Sequence, residues 1–536
     1  MKHKKRYQII DIIIMSILAA GIVIFIMVPF FNILAGAFYY ENKFDLRYIK
    51  SLFDNKTLLF NSLRLGILTT ALTLTAGICV SVYIFICSER LQKFWLMILG
   101  ITMISPPFVT ALSYINLFGR RGLISYRLLH LSVQPYGLTG IVLMQALSDF
   151  SLCSLLLYGV LKSIPGYMID SAKSLGAKTN DIICDIILPN MLPGIKASAL
   201  LTFLRSISDF GTPAIIGGKY NVLALESYLA VIAQGNLPRA AAVNLLLILP
   251  AAAVFVPYHK NLKNLGITSH GIETSNSKIV GKGIVYNCIK AIALFFLLWI
   301  SMQYISIIFS AFTRMKKGSL VITLENIEET LPYINQTTLR SIIYSVIAAS
   351  CGSIMGLLIG YYMQIRKIKF FFWIDLAATL PYVIPGTFFG LGYLLAFRQP
   401  PLMITGTAAI VVLNVIFKQL PFSTKIGNAA MEGINIEAVN AVRDLGGGRH
   451  NEILDVILPL SRRQLGLSFI NAFTSTMTTI GSIIFLIHPG HKVLTLVMFD
   501  VIQSGKYNIG SVLALWIIII CIVINGSYMF ITSHSS

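Results

Sequence analysis

Asp170-Ser-Ala-Lys-Ser-Leu-Gly176, nine residues, then Ile186-Ile-Leu-Pro189; and again Asn440-Ala-Val-Arg-Asp-Leu-Gly446, nine residues, then Val456-Ile-Leu-Pro459. Both stretches carry Leu-Gly, and in both a proline follows the glycine at the same distance. The second copy stands half a chain after the first. Such self-similarity marks a duplicated architecture. The local chemistry describes a helix, a sharp turn and a second helix. Pro165 suits a first helical turn, where its missing N–H costs nothing. Met168, Ala172 and Leu175 then share one face. Gly176 ends the helix, as a residue free to take positive φ does. Asn180 or Asp181 is placed to cap the next helix, and Asn435 to cap the second copy. Gly446-Gly-Gly448 ends that copy. Pro189 and Pro459 are expected to break the chain before the following span.

Outside these loops the chain is apolar. Of 536 residues, 56% are hydrophobic and 12% charged, against about 25% charged in soluble proteins. Mean hydropathy is +0.77. Runs able to span a bilayer, each near 20 residues, occur near 10–38, 60–87, 94–118, 138–160, 197–217 and 240–258. A second set lies near 285–312, 338–363, 370–397, 402–420, 464–487 and 509–532. Lipid favours helices for them, because a spanning backbone must satisfy its own hydrogen bonds. The expected fold is an all-α polytopic membrane protein of about 12 transmembrane helices, in two repeated six-helix halves. The polar stretch 259–284 reads as the linker between the halves. The expected division is 1–56, an N-terminal helix and outer loop; 57–258, the first transmembrane domain; 259–334, linker and seventh helix; and 335–530, the second. Smaller pieces recur as well: Asn61-Ser-Leu-Arg64 against Thr337-Thr-Leu-Arg340, and Gly211 against Gly481.

The net charge is +20, but the basic residues fall in short loops between apolar runs. That is the pattern by which Lys and Arg orient membrane helices, and nucleic acid is not an expected partner. Loops falling with the N-terminus, Lys162–Lys196 and Lys418–Arg463 among them, carry somewhat more Lys and Arg. Both termini are therefore expected on the cytoplasmic side. The seven cysteines form no C-x-x-C pair and read as small hydrophobes. His488 and His491 flank Pro489-Gly490 without further ligands in sequence, so no metal site is expected. No nucleophile–base or paired-carboxylate constellation stands out, and no catalytic residue is assigned.

The twin loops resemble the EAA loop of binding-protein-dependent ABC importers: Glu-Ala-Ala, three residues, Gly, nine residues, Ile-x-Leu-Pro. The first copy matches at Ala172, Gly176, Ile186, Leu188 and Pro189, with Asp170 for Glu and Ser171 for Ala. The second matches at Ala441, Gly446, Leu458 and Pro459, with Asn440 for Glu, Val442 for Ala and Val456 for Ile. The resemblance covers roughly 57–258 and 335–530. It implies coupling helices that dock on two cytoplasmic ABC ATPase subunits, an extracytoplasmic substrate-binding protein, and a bacterial inner-membrane location. The chain has no G-x-x-x-x-G-K-[ST] segment, and Gly281-Lys-Gly283 does not supply one. No cofactor is expected on this chain; ATP and Mg would act through the partner ATPase. Pro106-Pro-Phe-Val109, Leu117-Phe-Gly-Arg-Arg-Gly-Leu123, Ser208-Asp-Phe-Gly-Thr-Pro213 and Thr478-Thr-Ile-Gly-Ser482 resemble the fused permeases of ferric-iron importers. Permeases for aminophosphonates, thiamine, polyamines or sulfate share much of the pattern.

Polar residues within spans are pathway candidates, since a charge at the bilayer centre costs roughly 2.5–3.5 kcal/mol on insertion scales. Arg205 and Asp209, four apart, suit a mutual ion pair or a central cavity. Ser206, Ser475 and Thr479 complete the candidate set, which suits a hydrated or chelated ion. Hydroxyls in membrane helices also bond neighbouring helices. Asp149 is expected at the interface. The rival reading, a secondary transporter of two six-helix halves, explains the duplication but not the matching helix–Gly–turn–Pro loops.

Overall fold

The computed structural model describes residues 2–40, 43–54, 56–120, 122–130, 135–264, 279–316 and 319–534. Most of the expected linker, 265–278, and Arg121 lie outside the described residues. Among the described residues eight helices are long and apolar enough to cross a bilayer, or ten if each of two bent pairs is one crossing. The bent pairs are Glu89–Ile104 with the helix from Phe108, at 106°, and Lys369–Tyr382 with Gly386–Ala396, at 112°. Pro106-Pro107 and Pro385 stand at the breaks, where they remove helical donors. About 12 crossings remain compatible with this. The helix Leu237–Asn264 covers the expected span 240–258. The expected span 464–487 is helical only as Arg462–Thr478 and then turns over 481–486. Its Thr474–Thr479 run explains the stop, because Ser and Thr side chains compete with the helical ladder.

The duplication holds element by element. Leu138–Lys162 and Ala408–Glu432 correspond, as do Gly166–Ser174 and Ile436–Asp444. So do Leu223–Ile232 and Leu494–Gln503. Each half also opens with an apolar helix and an antiparallel hairpin, Tyr39–Tyr40 with Lys43–Phe44 and Thr313–Lys316 with Ser319–Ile322. The recurrence read at Arg64 and Arg340 is displaced by one helical turn. The equivalent residues are Ser62 and Ser341, whose hydroxyls each accept the first N–H of a later helix, Leu223 and Leu494, at 2.8 Å.

The opening helices are exchanged. Val28–Phe38 packs on Gly386–Ala396 of the second half, and Ile284–Phe312 on Lys56–Ile86 and Phe108–Phe118 of the first. Aromatic pairs line both seams: Phe25 with Phe417 at 5.1 Å and Phe30 with Phe388 at 5.8 Å, then Phe150 with Phe296 and Phe118 with Trp299 at 5.8 Å. All seven cysteines are free; Cys79, Cys153 and Cys521 are buried, whereas Cys184, Cys288 and Cys351 are exposed, so the small-hydrophobe reading covers only some of them.

Within each half the tightest helix pair uses small residues, as membrane helices do where backbones approach. A Cβ on Gly356 would lie 2.4 Å from the backbone of Ser423, and one on Gly77 would lie 2.5 Å from Cys153 Sγ. The obstacle at Gly77 is a side-chain end, which can rotate; at Gly356 it is main chain. Gly356→Ala is expected to destabilise by about 2 kcal/mol and Gly77→Ala by less than about 1 kcal/mol. Thermal unfolding in detergent measures both, and equal shifts would contradict the packing described.

Candidate functional site

The two matched loops fold alike. Gly166–Ser174 and Ile436–Asp444 are nine-residue helices. Each ends at a left-handed glycine, Gly176 at φ +85° and Gly446 at φ +80°, with open space where a Cβ would stand. Glycine is required there by backbone conformation and not by crowding. Asn435 caps the second helix, its side chain accepting from Glu437 N at 3.0 Å. Pro165 is the N-cap of the first. The next helix is secured by Asp181, which accepts from Lys178 N at 2.8 Å.

Two local expectations are corrected. Pro189 does not break the chain: Thr179–Ser208 is one helical segment, and Ile182–Ile187 is wound more widely, as a π-helix, just ahead of the proline. Glu452–Ile457 repeats this before Pro459, with an irregular residue only at Ser461. A wide turn relieves the clash between a proline ring and the preceding turn. The buried face of the first helix runs through Gly166 and Ile169, with Ala172 half-buried, while Leu175 points outward and is 89% exposed. Leu445 is also 89% exposed. Asp170, Ser171, Asn440 and Ala441 are exposed beside these leucines, as are Pro189, Leu458 and Pro459. Ile186, Leu188, Val442 and Val456 are half-buried under the loops.

The loops differ in what holds them. Beneath the first lie Ile169, Ile182, Ile183 and Ile187, joined by Ile279 and Tyr286 from the start of the second half. Thr179 Oγ1 donates to Val280 O at 2.6 Å. Beneath the second, Glu452 replaces the isoleucine at the position of Ile182. Arg443 donates to its two oxygens at 2.7 and 3.2 Å, and Tyr361 donates at 2.6 Å. Burial pushes the Glu452 carboxyl up, but the hydrogen bonds from Arg443 and Tyr361 and the nearby Arg366 outweigh it and hold it below the usual range. Arg449 of the same loop pairs with Asp11 of the first helix, and Tyr362 donates to Asp11 at 2.8 Å. Each loop is thus clamped by the opening segment of the other half.

The second candidate region lies between the halves. A cavity of about 470 Å³ is lined by Arg205, Asp209, Ser475 and Thr479, together with Lys418 and Phe108. Ser206 stands behind its wall, buried and donating to Gln145 Oε1 at 2.6 Å. Arg205 does not pair with Asp209. Its Nε lies 3.0 Å from Asp149 Oδ1, and Asp149 is buried mid-helix instead of lying at the interface. Asp209 Oδ1 accepts from the N–H groups of Gly211 and Thr212 at 2.9 and 3.2 Å, and Oδ2 from Gln145 Nε2 at 3.1 Å. Gly211 is needed because Phe108 packs 2.2 Å from where its Cβ would be. Phe108 and Phe210 continue into an aromatic cluster with Tyr228 and Phe499.

Lys418 is the residue that sequence reasoning misplaced. It looked like the start of a cytoplasmic loop, but the helix Ala408–Glu432 continues well past it. Its Nζ donates to the carbonyls of Pro381 and Ile384 at 2.5 and 2.8 Å, acceptors freed by the break before Gly386. His488 Nδ1 accepts from Gly490 N at 3.4 Å, and no group of three metal-binding side chains occurs among the described residues.

Residues 74–259 match the family model described as binding-protein-dependent transport system inner membrane component. The chain is 25% identical over 429 residues to a ferric transport system permease protein of Actinobacillus pleuropneumoniae, covering 77% of this chain and 62% of that one. It is 25% identical over 503 residues to a protein named ferric transport system permease in Haemophilus influenzae, covering 90% and 79%. A molybdenum transport system permease of Mycobacterium bovis is 26% identical over 206 residues, 38% of this chain and 77% of its own.

The ionic joint gives a loop-specific expectation. Arg443→Met should loosen the second loop by about 2 kcal/mol, the scale of a hydrogen bond to a charged group. Hydrogen exchange should quicken over 436–446 and stay unchanged over 166–176. Because the Glu452 pKa is lowered on folding from 4.5, its contribution is complete above that value and fades as pH falls through the folded-state value. Glu452→Gln should abolish this acid-side loosening; a Gln variant that keeps it contradicts the assignment.

Proposed function

Starting from residues 74–259 as a binding-protein-dependent permease domain, we propose that the chain is the membrane-spanning permease of an ATP-driven importer whose cargo is ferric iron. Cargo is received from an extracytoplasmic binding protein and moved inward by alternating access. Two cytoplasmic ATPase subunits hydrolyse ATP with Mg, and this chain contributes no ATP site. Both termini are cytoplasmic. The observation that carries the reading is the pair of glycine-ended helices, each presenting an outward leucine, Leu175 and Leu445. Leucines exposed at matched positions on both loops offer apolar surface for the core of an interface with two related partners. The iron assignment rests on the two ferric transport relatives that align along most of the chain.

The mechanism follows from how the loops are joined to the spans. Each short helix leads through a wide-wound turn into a long helix that ends at the cavity wall, Ser208 in one half and Thr478 in the other. A push on the loop is therefore delivered to Arg205 and Asp209 on one side and to Ser475 and Thr479 on the other. The Asp11–Arg449 pair and the Thr179–Val280 hydrogen bond tie each loop to the opposite half, so the halves move as a coupled pair. ATP drives the cycle only through its differential affinity for the two states.

Gly176→Val and Gly446→Val test this. A β-branched residue at positive φ costs about 1–3 kcal/mol and deforms the loop end without crowding it. Both variants should insert and be retained in the membrane, with ATP-driven uptake falling by about tenfold or more. Normal ATP-driven uptake, or uptake that persists without ATP and collapses with the ion gradient, would overturn the reading.

A further inference from the structure

We propose that the end of the bundle away from the paired loops holds an anionic phospholipid, its headgroup phosphate taken by Arg120 and Arg127 and one acyl chain laid along the helix Ile284–Phe312. The inference goes beyond the permease reading and does not depend on what the chain transports.

Three parts of the chain enclose a pocket of about 440 Å³: the turn and wide-wound segment after Phe118, the end of Ile284–Phe312 with its hairpin, and the start of the last helix at Tyr507. Helices Leu138–Lys162 and Ile284–Phe312 connect this end of the bundle with the end that carries the paired loops. Arg120, Arg127 and Arg314 line the pocket, and no carboxylate does. Arg314 is offset by Glu325 and Glu329, and Lys316 also pairs with Glu325. The other two are not offset. Arg120 lies over the Tyr136 ring at 5.8 Å, and Arg127 reaches Met315 Sδ. Among the described residues neither is paired with a carboxylate. Two guanidinium forks therefore remain for a phosphate, whose oxygens they match in geometry. The rest of the lining selects a lipid over a free ion. Ile115, Leu123, Phe309 and Leu320 make an apolar wall. Tyr136 and Tyr507 also line the pocket, and tyrosines collect at the headgroup level of a bilayer. From Phe309 a stripe of exposed apolar side chains continues along the helix through Ile305, Met302, Leu298 and Phe295. Alternating steps of four and three keep it on one helix face. From Phe295 to Phe309 it extends about 21 Å, against about 15 Å for one leaflet's half of the hydrocarbon core. An acyl chain leaving the pocket thus has apolar contact across its whole leaflet. An acidic peptide matches the arginines but has no use for the stripe.

The full chain, stripped of lipid in detergent, is titrated with dioleoyl phosphatidylglycerol and separately with dioleoyl phosphatidylcholine, and bound lipid is counted by native mass spectrometry. Phosphatidylglycerol should bind about tenfold or more tightly than phosphatidylcholine, whose choline cancels the phosphate charge. Arg120→Gln combined with Arg127→Gln should weaken phosphatidylglycerol by about tenfold or more and erase the preference. Arg120→Lys combined with Arg127→Lys keeps the charge and should keep most of the preference; equal loss in both pairs reports damaged packing and overturns the proposal. Lys219→Gln removes a charge that does not line the pocket and should leave binding unchanged. Inorganic phosphate and glycerol phosphate should not displace the lipid; displacement identifies a site for free anions and overturns the lipid assignment. So does an absent preference for phosphatidylglycerol, or a Gln pair that binds it as the parent chain does. If that Gln pair instead loses capture on immobilised poly-glutamate, the arginines serve an acidic protein partner.

Discussion

A backbone inside a bilayer has no water to bond, so every helix that stops there must hand its free groups to something else. Here the helices stop inside the bundle at four related places: before Phe108, after Ser208, before Gly386 and after Thr478. Two charged residues of the interior are partners of those stops. Asp209 takes the first N–H groups of the short helix from Gly211, and Lys418 takes two carbonyls released near Pro385. A charge is expensive in this setting, but an unpaired backbone group is costly as well. The breaks and the charges stabilise one another, and the cavity is what lies between them.

The halves solve the same problems with different chemistry. Ile182 and Glu452 occupy equivalent positions under the two loops, one within an isoleucine cluster and the other within a network of Arg443, Tyr361 and Arg366. Asp170 against Asn440 gave the sequence reading its asymmetry, with the first loop as the acidic one. The structure adds the opposite asymmetry in the next helix, beyond the glycine turn, where the acidic residue belongs to the second loop. Two duplicated units on one chain can diverge in this way, because each loop always meets the same half.

How much of this was legible in the sequence follows from the range of each interaction. The glycine ends, the Asn435 cap and the twin loops are local, and spacing alone located them. The breaks were partly visible as prolines. The partners of Arg205 and Lys418 were not, because they come from helices far away in sequence and hydropathy carries no information about register. Lys418 was lost for a further reason: a charge ended an apolar run on paper while the helix ran on to Glu432. The π-helical turns before Pro189 and Pro459 were also hidden, since a proline in isolation reads as a stop.

The exchange of opening helices fixes an order of events. Asp11 and Tyr362 are 351 residues apart and yet share a hydrogen bond. At synthesis rates of roughly 5–20 residues per second, the first helix waits on the order of 20–70 s in the bilayer before its partner emerges from the ribosome. During that interval its seam, Phe25 and Phe30 included, faces lipid. The apolar character of that seam is therefore a requirement of biogenesis as much as of the finished bundle.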